Sequence, residues 1–533
     1  MTSTSGSPEP LHAAARRPWH ATPWGASALA IGVVCLIAAW TGLWGAMRRP
    51  LWLDEIVTQL IANAPGGIWD AMRAGADFQP PLHYALVRMA DALAGGASPV
   101  ATRCVSLVAA LLTLGALAWT WRASLSLEAT IAGVLALAAH PLFLGQAFEA
   151  RPYALWILAT ALVAIAVRDS RWWLAAAAAV LLCVTHYFGV LSLVAIGAGV
   201  AVFALATRMT GRAFVRRTAP LLAGALALAA LLPLASAQLA TTAGRSWVPA
   251  PTVADVAFFL RFPWGWRPAA FVIVAAVLLV IARRIPYVAE RWPASARAPL
   301  NATDVALFAT LLVPVLVVAV SVLYKPVLVL RYAAPATIAV ATLTAFAVDV
   351  FPRPARWLAV LWLLRATFFS FDSAAMGARN SVALLAGEMD AVARIGALGV
   401  PTISPMRQDA YRASMLATRG PAVAWVSLSD SLIERSAAAA GTGLTRELLL
   451  VERDFGHAVQ RTFHFPNVVT LEAARLDTAV ALLRDPAYAG ADSIWLPGRR
   501  ACPVSNRLVV FALPAAALRC DLLRNADQAG PRR

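Results

Sequence analysis

Charge is what this chain has least of. Asp, Glu, Lys and Arg make up 14% of its 533 residues, against about 25% in ordinary soluble domains. Lys325 is the single lysine among 45 basic residues. With 60% apolar residues and a mean hydropathy of +0.68, such a chain cannot present a mostly polar surface and reads as a polytopic membrane protein. Cysteine is equally thin. Of the five, Cys35, Cys104 and Cys183 fall in or beside apolar runs without metal-ligand spacing, which leaves them as small buried hydrophobes rather than zinc ligands. A repeat of fixed period is also missing, which excludes a solenoid.

The charge that remains is unevenly placed. The formal net charge is +17; residues 1–371 hold 27 Lys/Arg and 13 Asp/Glu, and residues 372–533 hold 18 and 15, an excess of +14 and +3. The arginines punctuate apolar runs, as topology signals do, and form no basic stripe, so a nucleic-acid partner is set aside.

A spanning helix needs about 20 mostly apolar residues. Candidate spans lie at 26–46, 98–120, 127–145, 152–167, 172–190, 190–207, 218–238, 268–282, 304–323, 333–349 and 357–371, eleven in all. Residues 1–25 form a polar tail. The first span is followed by Met47-Arg48-Arg49-Pro50 instead of a small-residue cleavage site, so it is expected to stay as a signal anchor. Short Arg-rich segments around Arg122, Arg168, Arg212, Arg216, Arg283 and Arg353 place themselves and the N-terminus inside, and eleven spans then put residues 372–533 outside. In that tail, apolar runs at 423–427, 447–451 and 508–513 alternate with helix-like stretches. The expected fold class is therefore a polytopic α-helical domain over 26–371, in the cytoplasmic membrane, followed by an extracytoplasmic α/β domain. Cys502 and Cys520 lie in the tail, in a compartment that permits disulfides, and are expected to pair.

The outer segment 47–97 concentrates the polar chemistry. Leu51-Trp52-Leu53-Asp54-Glu55 puts two adjacent carboxylates at the membrane boundary, where an uncompensated acid is costly and marks a functional site. Two amphipathic pieces, 56–61 and 68–72, are expected to lie on the membrane surface; Asn63, Pro65, Gly66 and Gly67 break them apart. Glu149-Ala150-Arg151-Pro152-Tyr153 emerges on the same side, so acids and an arginine converge on one cavity, although Glu149 with Arg151 equally reads as a structural ion pair. His83, after Pro80-Pro81, and His186, beside Tyr187, lack zinc-ligand spacing and read as packing or substrate hydrogen bonding. Lys325 and Arg331 bracket another outer loop. They suit a phosphate or diphosphate, with Arg331 offering bidentate geometry, and anchoring of a helix end to headgroups is the equal alternative.

Leu51-Trp52-Leu53-Asp54-Glu55, Gln79-Pro80-Pro81-Leu82-His83-Tyr84, Glu149-Ala150-Arg151-Pro152-Tyr153, Thr185-His186-Tyr187-Phe188 and Arg331-Tyr332 with Pro335 together resemble type C (GT-C) membrane glycosyltransferases. The group most similar is the bacterial relatives of dolichyl-phosphate-mannose protein mannosyltransferases and lipid A aminoarabinose transferases. The resemblance covers residues 26–371. It implies a GT-C-like fold and a hexosyl- or pentosyltransferase that moves a sugar from a polyprenyl-phosphate carrier to a cell-envelope acceptor, whether glycan, glycolipid or protein, on the outer face.

The same resemblance implies Asp54 as catalytic base or acceptor-positioning group, with Glu55 beside it, and Glu149, Arg151, Tyr153, His83, His186, Lys325 and Arg331 as substrate-binding residues. These residue types suit the chemistry: a base takes the acceptor proton, and Arg151, Lys325 and Arg331 hold the charge of the departing lipid phosphate. A divalent cation, Mg²⁺ or Mn²⁺, bridging carboxylate and phosphate is left open. The chain departs from the group in placing Phe148 where a Gln-Glu-Ala-Arg run is common, with Gln146 displaced, and in a tail without a sugar-binding repeat. Two other classes stay in play. A transporter or flippase of lipid-linked saccharides would show acids inside spans or repeat symmetry, and a non-catalytic assembly subunit would not need Asp54 and Glu149.

Overall fold

The computed structural model describes residues 23–49, 51–64, 66–73, 77–167, 172–242, 248, 250–291 and 300–397, and five strand segments between 402 and 513. In chain order the helices are α1 (Pro23–Thr41), α2 (Trp44–Arg48), α3 (Leu53–Ala62), α4 (Ile68–Arg73), α5 (Leu82–Leu93), α6 (Pro99–Arg122), α7 (Leu127–Ala138), α8 (Pro141–Ala147), α9 (Tyr153–Ala166), α10 (Trp172–Thr185), α11 (Gly189–Ala206), α12 (Gly211–Thr218), α13 (Leu222–Ala230), α14 (Leu232–Thr242), α15 (Val253–Arg261), α16 (Arg267–Ala282), α17 (Pro286–Arg291), α18 (Ala302–Ala309), α19 (Leu312–Leu323), α20 (Ala336–Val350) and α21 (Arg353–Ala397).

The centre of the bundle is built from helices that are apolar all round, and such helices must be buried on every face. α7 is buried from Glu128 to Ala138, and α9 and α20 are nearly so. Small residues let the central helices approach closely: a Cβ at Gly133 of α7 would meet Trp121 at 2.8 Å and Ala345 of α20 at 2.9 Å. Around this centre, α1, α11, α13, α16 and α21 turn Leu36, Leu205, Leu226, Leu278 and Leu358 outward, as lipid-facing helices do.

Among the described residues six helical stretches are long and apolar enough to cross a membrane, and two bent pairs raise the number to eight: α7 with α8, bent by 69°, and α15–Trp264 with α16, bent by 76°. Three shorter apolar helices, α9, α10 and α20, overlap the remaining expected spans. They have 14, 14 and 15 residues, a rise of roughly 21 Å against a hydrocarbon core of roughly 30 Å. The expected straight span at 127–145 is corrected to a broken one. Pro141 has no N–H to continue α7, and His140 Nδ1 instead accepts from the Leu142 N–H at 3.2 Å and starts α8 afresh. The expected span at 218–238 divides between α13 and α14, with Pro233 in the first turn of α14.

Two expectations about segment 47–97 and the tail also change. α3 does not lie on a surface: Glu55, Ile56, Val57, Thr58, Gln59, Ile61 and Ala62 are all buried, because its polar side chains find partners inside the protein. α4, with Trp69 and Asp70 exposed, keeps a surface position. At the other end, α21 runs unbroken from Arg353 to Ala397, across the expected domain boundary at 371–372. Beyond it, β1 (Thr402–Ser404), β2 (Trp425–Ser427), β3 (Glu447–Glu452), β4 (Ala501–Pro503) and β5 (Leu508–Leu513) pair in the order β2-β1-β3-β5-β4. β1 is parallel to β2 and β3, and β5 is antiparallel to β3 and β4, with Leu449 opposite Phe511. Cys502 falls in β4, whereas Cys520 and the rest of the tail, and with them the expected Cys502–Cys520 pairing, lie outside the described residues.

Candidate active site

Asp54 and Glu55 occupy the first turn of α3, where unpaired backbone N–H groups and the helix dipole favour carboxylates. Neighbouring positions on a helix point about 100° apart, and the two acids go to different partners. Glu55 is fully buried against Arg103 of α6, whose Nε donates to Oε1 at 2.7 Å and Nη2 to Oε2 at 2.5 Å. Oε1 also accepts from the Ala150 N–H at 2.9 Å and Oε2 from the Trp52 N–H at 3.2 Å. The Arg103 Nη1 donates to the carbonyls of Ala46, Met47 and Arg49, around the open C-terminal end of α2. One ion pair thus joins the end of α2, the start of α3, α6 and the turn after α8.

Asp54 faces the other way. Its Oδ2 accepts from Arg331 Nη1 at 2.8 Å, with Arg151 Nη2 at 4.0 Å. Arg331 is delivered by a short 3₁₀ turn, Leu330–Ala333, just before α20. Arg151 sits in the turn between α8 and α9, with its carbonyl held by the Ser106 hydroxyl at 3.1 Å. Its Nη1 donates to Asp77 Oδ2 at 2.6 Å, to the Asp54 carbonyl at 3.2 Å and to Thr58 Oγ1 at 3.2 Å.

Asp77 is pinned in turn by the Tyr84 hydroxyl and the Phe78 N–H, both at 2.8 Å. Burial pushes the Asp77 carboxyl up, but the Arg151 guanidinium and the hydrogen bonds from Arg151, Tyr84 and Phe78 outweigh it and hold the group below the usual carboxylate range. Four charges therefore alternate across the site: Asp77, Arg151, Asp54, Arg331. Of the three acids, Glu55 and Asp77 have their oxygens occupied by donors. The Asp54 side chain is 23% exposed against 0% for Glu55, and Arg331 is the one donor to its carboxylate among the described residues. The Asp77 side chain is 17% exposed, so Asp54 is the most exposed of the three and the one whose carboxylate accepts a single hydrogen bond.

Aromatic rings form the wall behind Arg331. Tyr153 lies under its guanidinium at 5.4 Å, and His186 stacks on Trp156 at 4.2 Å, with Tyr332 and Phe188 edge-on. His186 Nδ1 accepts from the Phe188 N–H at 3.0 Å, so in the neutral ring the proton is on Nε2. His83 is completely buried in α5, and burial, with Arg151 nearby, pushes it down to about 3, so it is a neutral packing group at physiological pH.

A cavity of about 790 Å³ abuts the cluster. Its walls are largely apolar, including Leu144, Phe148, Trp266 and Phe369, and its charged residues are Arg49, Glu149 and Arg267. Glu149 is half-buried; burial first, and then the Glu55 carboxylate, push its pKa up to about 7 against the opposing pull of Arg49, Arg331 and Arg151. Asp54 does not line this cavity; contact with the charge cluster is through Arg49, which is 4.0 Å from Glu55, and through Glu149, two residues from Arg151.

Two solved structures match this arrangement of helices over nearly their whole length. The crystal structure of ArnT from Cupriavidus metallidurans bound to undecaprenyl phosphate superposes with a TM-score of 0.58 at 14% identity, covering 95% of this chain and 99% of that one. The apo form of the same protein gives 0.53 at 15% identity, covering 94% and 99%. The chain has the fold of ArnT. No protein-family model matches the chain, and no curated protein matches it. The fold is thus shared with ArnT at 14–15% identity.

The structure brings Asp54, Arg151, Tyr153 and Arg331 together, with Glu149 at the adjoining cavity. Of the two readings open for Arg151, the structural pair with Glu149 is not the one seen: Arg151 goes to Asp77 and Asp54. Glu55, grouped with Asp54 but expected to orient the loop or bind acceptor polar groups and not to carry the proton, is closed off by Arg103. Lys325, just past the end of α19, makes no ion pair or side-chain hydrogen bond among the described residues. His83 and His186 are packed. Two functional residues escape the sequence reading. Arg103 was legible as a lone arginine near the start of an apolar span, a position that demands a buried partner. Asp77 carries no such signal, being one acid among several in a polar loop.

Proposed function

We propose that this chain is a glycosyltransferase that moves a sugar from a polyprenyl-phosphate carrier to a hydroxyl of a cell-envelope acceptor at the outer face of the cytoplasmic membrane. The observation that carries the reading is the Asp54–Arg331 pair at 2.8 Å, partly open, beside an apolar cavity of about 790 Å³. The ArnT structure solved with undecaprenyl phosphate supports a lipid of that kind as donor carrier. On this reading the prenyl chain lies along the apolar wall of α16 and α21, and the phosphate meets Arg331, with Arg151 behind it.

The acceptor oxygen attacks the anomeric carbon, Asp54 takes the hydroxyl proton, and the carbon–oxygen bond to the lipid phosphate breaks. Arg331 and Arg151 hold the charge that develops on the leaving phosphate, in a site where few water dipoles compete with them. Among the described residues no three His, Cys, Asp or Glu side chains cluster as metal ligands. If a divalent cation takes part, Asp54 would help hold it and it would supply charge neutralisation to the lipid phosphate; transfer in the presence of EDTA tests this. Eleven crossings, an N-terminus inside and an extracytoplasmic α/β domain from the tail strands complete the reading.

The decisive experiment compares wild type and Asp54→Asn, purified, with polyprenyl-phosphate sugars and a cell-envelope extract, products read by mass spectrometry. Loss of the base is expected to cost roughly 10² to 10⁴ in rate with the fold intact. Near-wild-type transfer by Asp54→Asn would sink the assignment, and movement of the lipid-linked sugar across a bilayer without transfer would make the protein a transporter.

A further inference from the structure

The two arginines of the site are held differently. The Arg151 side chain is 4% exposed and Nη1 is 2.6 Å from Asp77, whose own oxygens also hold the Tyr84 hydroxyl and the Phe78 N–H. The Arg331 side chain is 17% exposed and Nη1 is 2.8 Å from Asp54. An anion that enters the site from its open side meets Arg331 and Asp54 together. A guanidinium cannot present its full fork to a phosphate while a carboxylate occupies part of it.

We propose that Asp77 is a positioning residue: it holds Arg151 off Asp54, at 4.0 Å, so that Arg331 is the close cation on Asp54 and a lipid phosphate bares Asp54 by taking Arg331 from it. The inference rests on the polyprenyl-phosphate reading above. In the empty site Arg331 occupies Asp54 Oδ2. In the loaded site that oxygen has lost its donor and is open to the acceptor hydroxyl when a base is needed. Without Asp77, Arg151 closes its 4.0 Å gap and keeps Asp54 neutralised even after the phosphate has bound.

The test adds undecaprenyl phosphate to the full-length protein in nanodiscs, reads affinity by calorimetry, and follows carboxylate bands by infrared difference spectroscopy. Wild type binds and shows a carboxylate change on binding. Asp54→Asn binds several-fold tighter, because the competitor for Arg331 is gone, and lacks that change. Asp77→Asn binds at least as well as wild type yet loses most of the change, an outcome that a merely structural role for Asp77 would not produce. Should Asp77→Asn not fold, Tyr84→Phe removes one of the donors that fix Asp77 and gives a smaller loss of the same sign. Unchanged or weaker binding by Asp54→Asn overturns the proposal and leaves the polyprenyl-phosphate reading standing. An undiminished band change in Asp77→Asn, or in Tyr84→Phe where that variant replaces it, overturns the role of Asp77. Failure of wild type to bind overturns both readings.

Discussion

Arg103 and Glu55 form a fully buried pair with two parallel hydrogen bonds, and neither side chain reaches solvent. Their pairing places Asp54 as well, since Asp54 is the next residue along α3 and its direction is set once Glu55 is clamped. A buried pair of this kind contributes little net stability, but removing one member leaves an uncompensated charge. Arg103→Ala is therefore expected to destabilise the protein by about 3 to 5 kcal/mol. Replacing both residues by leucine should cost less than that single change, though activity is lost with the geometry. Thermal melts in one detergent settle it, and a single variant that melts like wild type would deny the clamp its role.

Arg331 and Lys325 share a loop and a charge but not a site. Arg331→Lys loses the planar fork and one of its bonds, so binding of a lipid phosphate is expected to weaken by about tenfold or more, in line with a charge-assisted hydrogen bond worth about 1.5 to 3 kcal/mol. Lys325→Ala is expected to stay within about twofold of wild type, because that ammonium contacts none of the clustered charges. Equal losses from the two variants would put Lys325 back in the site.

Much of this arrangement was legible in the sequence because each part obeys a local rule. Apolar runs located the helices, and the acids of Leu51-Trp52-Leu53-Asp54-Glu55 stood out because charge at a membrane boundary is rare. What stayed hidden depended on three-dimensional pairing. Nothing in the spacing of Asp77 and Arg151, 74 positions apart, shows that one turn brings them together, and an arginine can choose among several acids. The bend between α7 and α8 was half legible, in Pro141, but the hydropathy of 127–145 masked it. The burial of α3 was illegible for a similar reason: its amphipathic pattern fits a membrane surface as well as a protein interior whose partners are polar.

Topology follows from arginine density, and it is open to a direct check. The segment from Arg212 to Arg217, within α12, is short and basic, whereas the tail strands follow an odd number of expected crossings, so the two should face opposite sides. Reporter fusions after residues 212 and 450 are expected to report inside and outside. The same side for both would mean that one of the short helices α9, α10 or α20 does not cross.

Glu149 gives the protein a pH dependence of predictable sign. Its carboxyl is raised in the folded chain to about 7 from an ordinary 4.5, chiefly by burial and then by Glu55. A raised carboxyl pKa means that the folded state binds a proton the unfolded state has already lost, so stability falls as pH rises between those two values and is flat above the higher one. Glu149→Gln keeps the shape and removes the titration. Its melting temperature should therefore overtake that of wild type as pH climbs from about 4.5 to about 7, by an amount worth at most about 3 kcal/mol at one pKa unit per 1.36 kcal/mol. Parallel curves for the two proteins across that window would show that Glu149 carries its charge in the fold without cost, and would remove it as a group able to exchange a proton beside the cavity near neutral pH.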